Sequence, residues 1–187
     1  MAKKHVPFVI AYDFDGTLSP GNMQEYDFVP ALGIKPADFW REAKAMAQEQ
    51  QANDIAHWPA LAVNYTTKTQ YLFRINKGSL DVHDNSVINA FVEPAERPVP
   101  FSNMVFIGDG ETDIPSMRLV KNQGGHSIAV YGKGKRGARN KALKLVEEGR
   151  TNLATTADYT DGSAIDRAIK AMIDKVIADR TIAEANG

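Results

Sequence analysis

The sequence predicts an α/β fold built on a mostly parallel sheet, and two stretches carry most of that prediction. Phe8-Val9-Ile10-Ala11-Tyr12 is an apolar, β-favouring run that stops at Asp13-Phe14-Asp15-Gly16-Thr17. Met104-Val105-Phe106-Ile107 does the same and stops at Gly108-Asp109-Gly110-Glu111-Thr112-Asp113. Short continuous apolar runs bounded by glycine turns read as buried strands of the kind parallel sheets use. A third observation is the alternation of such runs with segments whose apolar residues recur at helical spacing, which is the pattern of an α/β chain.

The elements follow in order. Residues 8–12 form the first strand, and Gly16 is where it turns. Strand alternation sends Asp13 and Asp15 to one side of the backbone and Phe14 to the other. Residues 18–35 read as irregular, broken by Pro20, Gly21, Pro30 and Gly33. Residues 36–53 read as a helix, with Pro36 early and Phe39, Trp40, Ala43, Met46 and Ala47 on one apolar face. Thr66 or Thr67 caps a further helix that runs through Tyr71, Leu72 and Ile75 and ends near Gly78.

Residues 79–103 read as a long polar connection around the apolar patch Val87, Ile88, Phe91 and Val92, a length that marks an insertion or a functional flap. Asp113 or Thr112 then caps a helix with Pro115 in its first turn, continuing through Met117 and Val120 to Gly124-Gly125. Residues 127–131 are the next parallel strand, and a helix covers about 137–148. The short segment Ala157-Asp158-Tyr159 leads to a last helix from about Ser163. Its stripe of Ile165, Ile169, Met172, Ile173, Val176 and Ile177 is assigned to the core.

Composition narrows the function classes. The 187 residues suffice for one substantial core, and 1–187 reads as a single domain. A net charge of −1 gives no global field to attract nucleic acid or a membrane surface, and no segment is long enough to span a bilayer. The absence of cysteine removes disulfides and thiolate metal sites. Lys3 and Lys4 precede an apolar run, but that run is too short for a signal peptide and feeds into the acids, so a cytoplasmic location is expected. His5, His57, His83 and His126 show no ligand spacing. Lys133, Lys135, Arg136, Arg139, Lys141 and Lys144 form a basic cluster after a strand, read either as a solvated face or as a grip on an anionic substrate.

The acids carry the chemistry. An Asp-rich turn after a strand would account for Asp13 and Asp15 taken alone. Two carboxylates at the end of a buried strand repel unless a positive charge lies between them, and oxygen-only ligands favour Mg²⁺. Parallel sheets bind ligands at the carboxyl ends of their strands, so the two acid turns are expected side by side.

Asp13-Phe14-Asp15-Gly16-Thr17 resembles the first motif of the haloacid dehalogenase superfamily, and Gly108-Asp109-Gly110-Glu111-Thr112-Asp113 resembles its fourth, in a form common among phosphatases. The resemblance implies a Rossmann-like three-layer α/β/α core that binds Mg²⁺ and hydrolyses a small phosphorylated substrate through an aspartyl-phosphate. It makes Asp13 the nucleophile and Asp15 the general acid/base. Asp13, Asp15, Asp109 and Asp113 become the metal site, and Phe14, Gly16, Thr17 and Gly110 line the phosphate. The true dehalogenases of the superfamily lack the acid at the position of Asp15, which favours phosphate chemistry. The third motif needs a lysine, and Lys68 is the candidate. A lysine at a helix N-terminus opposes the helix dipole, so a local anion explains its presence there, with an ordinary solvated lysine as the alternative. Lys77, in the last turn of the same helix, is explained by the dipole alone.

The chain departs from the family at the second motif, an apolar strand ending in Ser or Thr. No such strand lies between Thr17 and Lys68, and Thr66 or Thr67 is the substitute hydroxyl on offer. Roughly a hundred residues of the usual architecture are missing, leaving a reduced cap of which residues 18–57 are the remnant. The strand at 8–12 would then be an open apolar edge, which soluble proteins avoid. Residues 60–64 are expected to pair with it; a covering helix or the second subunit of a homodimer are the alternatives. Two functions follow: a Mg²⁺-dependent phosphomonoesterase, or a chain of that ancestry that binds metal and phosphate without efficient turnover. A phosphomutase, which uses the same acids, is a third.

Overall fold

Four strands, β1 (Val9–Tyr12), β2 (Met104–Gly108), β3 (His126–Tyr131) and β4 (Leu153–Thr156), lie in the order β1-β2-β3-β4 with every pair parallel. This computed structural model describes residues 6–13, 15–19, 28–31, 33–39, 41–42, 65–79, 81 and 85–185. The register sets Val9 beside Met104 and Tyr12 beside Ile107, so the two acid-bearing turns leave the sheet at the same end.

Alternation along the strands builds two cores, one on each face of the sheet. Val9, Ala11, Met104, Phe106, Ala129 and Ala154 pack on one face against three helices. These are α2 (Tyr65–Lys77) through Leu72 and Ile75, α4 (Ile114–Asn122) through Met117 and Val120, and α5 (Ala138–Glu147) through Ala142 and Leu145. Phe8, Ile10, Val105, Ile107, Ile128 and Val130 pack on the other face against α6 (Ala164–Ala185) through Ile165, Ala168, Ile169 and Met172. The result is a Rossmann-like α/β fold in three layers. All five residues of β2 are buried, and each such large apolar side chain contributes about 1.5–3 kcal/mol relative to exposure.

Several expectations are corrected. Leu153–Thr156 is a further strand that the sequence pattern does not mark, its two threonines giving it little apolar signal; the short segment 157–159 follows it as a loop. The helix bearing Lys68 starts at Tyr65, so Thr66 and Thr67 lie inside its first turn and are not its caps. Phe28–Ala31, within the stretch read as irregular, is one helical turn, α1.

The connection 79–103 holds the turn α3 (Ser86–Asn89) and short 3₁₀ turns at Pro94–Glu96 and Phe101–Asn103, the latter burying Phe101. It is tied to α2 by Arg74, which donates to Ser79 Oγ and Asn85 Oδ1, and by Asn76, which donates to the Val99 carbonyl. Lys77 does more than answer the helix dipole, because its ammonium donates to the Ile88 and Ala90 carbonyls. In the α6 stripe Ile177 is half exposed and leaves the core.

Residues 36–39 and 41–42 are helical, as expected. The rest of that helix, Phe14, and the proposed pairing of 60–64 with β1 lie outside the described residues. Among the described residues β1 has β2 as its one strand neighbour. No helix among them is long and apolar enough to cross a membrane.

Candidate active site

Asp13 is the first residue past β1, and its N–H continues the ladder by donating to the Ile107 carbonyl at 2.8 Å. Val9 and Ala11 face α2 and α4, so alternation turns Asp13 toward the same side. Lys68, in the first turn of α2, meets it there. The Lys68 ammonium donates to Asp13 Oδ1 at 2.6 Å and to Asp113 Oδ1 at 2.7 Å. A cation at the unfavourable end of a helix is thereby held by two carboxylates, one of them fully buried.

The second acid turn is shaped by Asp113. It stands at the N-cap position of α4, yet its carboxylate makes no forward capping bond. It reaches back to accept from the Gly110 N–H at 3.1 Å and from Lys68. Gly110, expected to face phosphate, has its N–H committed to that bond. Two other glycines are required by close approach. A Cβ at Gly108 would lie 2.5 Å from Asp113 Oδ2, and one at Gly16 would lie 2.2 Å from Asp109 Oδ2, where φ is also +78°.

One oxygen from each of Asp13, Asp109 and Asp113 lies within 4.8 Å of the other two. Asp15, expected among the metal ligands, is not part of this trio. Asp15 bridges to Ser19, and Gly16 after it has a positive φ.

The electrostatics reflect crowding. Burial first, then the charges of Asp113 and Asp13, push the Asp109 carboxyl above the ordinary range, with Lys135 pulling it back. Burial also raises Asp113, with Asp13 adding to the rise and the hydrogen bond from Lys68 opposing it. Burial works against the Lys68 ammonium, but the bonds to Asp113 and Asp13 outweigh it and its pKa ends above the usual value. The trio therefore favours any added positive charge, and its all-oxygen donor set suits Mg²⁺.

Thr17 is buried, and its hydroxyl has no partner among the described residues. Its carbonyl accepts from the Tyr159 hydroxyl at 3.0 Å, and the Tyr159 ring meets Tyr12 edge-on with centroids 6.1 Å apart. Sequence reasoning missed both tyrosines, because no periodicity connects positions 12 and 159. In the basic cluster, Lys133 pairs with Asp158 at 3.2 Å and Lys144 with Glu148 at 3.7 Å.

No protein-family model matches the chain, and no solved structure matches it. The chain is similar to an uncharacterized protein of Borreliella burgdorferi, with 34% identity over 106 residues, or 55% of this chain. The match covers 34% of that relative, so the chain spans about a third of its length.

Proposed function

We propose that the chain is a Mg²⁺-dependent phosphomonoester hydrolase of the haloacid dehalogenase type, working through an aspartyl-phosphate at Asp13. The observation that carries this reading is the Lys68 bridge between Asp13 and Asp113, with Asp109 drawn into the same trio. A nucleophilic carboxylate, a fixed cation and a cluster of oxygen ligands are the parts phosphoryl transfer requires.

The Asp13 carboxylate attacks phosphorus, forming an O–P bond as the bond to the leaving alkoxide breaks, and Asp15 gives that alkoxide its proton. Asp15 then takes a proton from water, whose oxygen attacks phosphorus and breaks the Asp13–P bond, releasing phosphate. Lys68 offsets the negative charge on Asp13 and the phosphoryl oxygens throughout. Asp13, Asp109 and Asp113 would hold Mg²⁺, which when bound supplies charge neutralisation at the phosphoryl group. The Thr17 hydroxyl, without a partner among the described residues, is a donor available to that group. A small phosphorylated substrate and a cytoplasmic setting accompany this reading.

The test is hydrolysis of an aryl phosphate with and without Mg²⁺, in the natural chain and in Asp13→Asn. Mg²⁺-dependent turnover that Asp13→Asn abolishes supports the enzyme. Mg²⁺ binding without turnover selects the impaired, ligand-binding alternative.

A further inference from the structure

The acid turn after β1 is gripped from two sides. Lys68 holds Asp13 from the α2 face. On the α6 face, Tyr159 touches both shoulders of the turn. Its ring lies against Tyr12, the residue before Asp13, and its hydroxyl donates to the carbonyl of Thr17, the residue after Gly16. That hydrogen bond spans 142 residues of sequence.

The loop presenting Tyr159 is itself pinned. Asp158 Oδ1 accepts from the Thr160 N–H at 3.2 Å and from its hydroxyl at 2.7 Å, while Asp158 Oδ2 accepts from Lys133. The Ser163 N–H closes the loop on the Thr160 carbonyl at 3.1 Å just before α6. Tyr159 is therefore a fixed post against which the 13–17 turn can rest.

The turn lies close against Asp109, because Gly16 sits where a Cβ would overlap the Asp109 carboxylate. Among the described residues β1 has a strand neighbour on one side alone. We propose that Tyr159 is a positioning residue: its bond to the Thr17 carbonyl and its contact with Tyr12 keep the 13–17 turn pressed on Asp109. It thereby sets the spacing of the Asp13, Asp109 and Asp113 oxygens. Its effect on cation affinity rests on the proposed function; its effect on the turn does not.

Tyr159→Phe keeps the ring and removes the donor, so it separates the hydrogen bond from the packing. Two readouts are paired: amide hydrogen exchange at Gly16, Thr17 and Leu18 in the ligand-free chain, and the Mg²⁺ concentration giving half-maximal aryl phosphate hydrolysis. Loss of one net hydrogen bond predicts exchange about fivefold faster at the turn. Half-saturating Mg²⁺ should rise severalfold, with KM for the aryl phosphate nearly unchanged and thermal stability close to that of the natural chain. Tyr159→Ala should exceed both effects.

Unchanged exchange in Tyr159→Phe overturns the proposal, as does faster exchange with an unaltered Mg²⁺ requirement. If the natural chain shows no Mg²⁺-dependent turnover, the phosphatase reading fails. The exchange data then decide alone whether Tyr159 holds the turn.

Discussion

The Gly108–Asp113 turn closes on itself, with the Asp113 N–H donating to the Gly110 carbonyl at 3.2 Å and the Asp113 carboxylate accepting from the Gly110 N–H. The Asp13–Ser19 turn has an internal bridge between Asp15 and Ser19 and is also held by distant elements: Ile107 of β2, Lys68 of α2 and Tyr159 of the β4–α6 loop. The strands that feed the turns differ in the same way. β2 lies between two neighbours and is buried throughout, while β1 has one neighbour among the described residues and is partly exposed. Among the described residues, the two acid-bearing turns thus differ in reach: the second is closed by bonds between Gly110 and Asp113, and the first is tied to three distant elements as well as bridged within itself. The proposed nucleophile sits on the more widely tied turn, so its placement should be sensitive to residues far from the chemistry.

The largest expected effect is at the joint between them. Lys68→Met leaves the fully buried Asp113 without its cation, and breaking such a pair costs about 3–5 kcal/mol. Urea denaturation at neutral pH should show a loss of that size, shrinking in acid as Asp113 takes up a proton. A loss below about 1 kcal/mol, the scale of exposed pairs, would mean that Lys68 is not structurally committed.

Next come the glycines. Gly108→Ala drives a methyl against the buried Asp113, including its Cβ at 2.8 Å, where nothing can yield. Overpacking of this kind costs about 1–3 kcal/mol, and the upper end is expected here. Gly16→Ala meets the carboxylate of the exposed Asp109, which can swing away, leaving mainly the left-handed φ penalty of about 1–2 kcal/mol. Activity should fall in the opposite order of stability loss, because the retreating Asp109 is a member of the trio. Equal stability losses would erase the distinction between the turns.

The pattern of legible and illegible features follows from range. The strands at 8–12 and 104–108 announce themselves because packing on both faces of the sheet favours continuous apolar runs bounded by glycine turns. Lys68 stood out because the resemblance implies a third-motif lysine, and its charge against the local helix dipole supports the choice. β4 did not, because Leu153-Ala154-Thr155-Thr156 becomes a strand through pairing with β3 and packing on α5, neither of which is local. Asp113 reads both as a helix N-cap and, by resemblance, as a metal-site acid, and position alone does not tell which way its carboxylate reaches. Tyr159 acts across 142 residues through a main-chain carbonyl, and a carbonyl leaves no trace in a sequence.

The smallest effect is the pH dependence. Asp109 and Asp113 titrate higher folded than their unfolded value of 3.8, so above that pH the unfolded chain binds fewer protons than the folded one. Stability of the metal-free protein should therefore fall as pH rises from 3.8 through the folded pKa values. Asp109→Asn should flatten that fall and modestly raise the metal-free melting temperature at neutral pH, while removing the gain from added Mg²⁺. Thermal scans across pH check both signs.

The account turns on Asp13 as the atom donor to phosphorus. The direct measurement is acid quenching of the chain during turnover of an aryl phosphate with Mg²⁺, followed by peptide mass mapping. The account predicts one phosphoryl group on the peptide containing Asp13, absent without Mg²⁺ and absent in Asp13→Asn. Phosphate release with no phosphoryl group on that peptide, or with one on another residue, would contradict it.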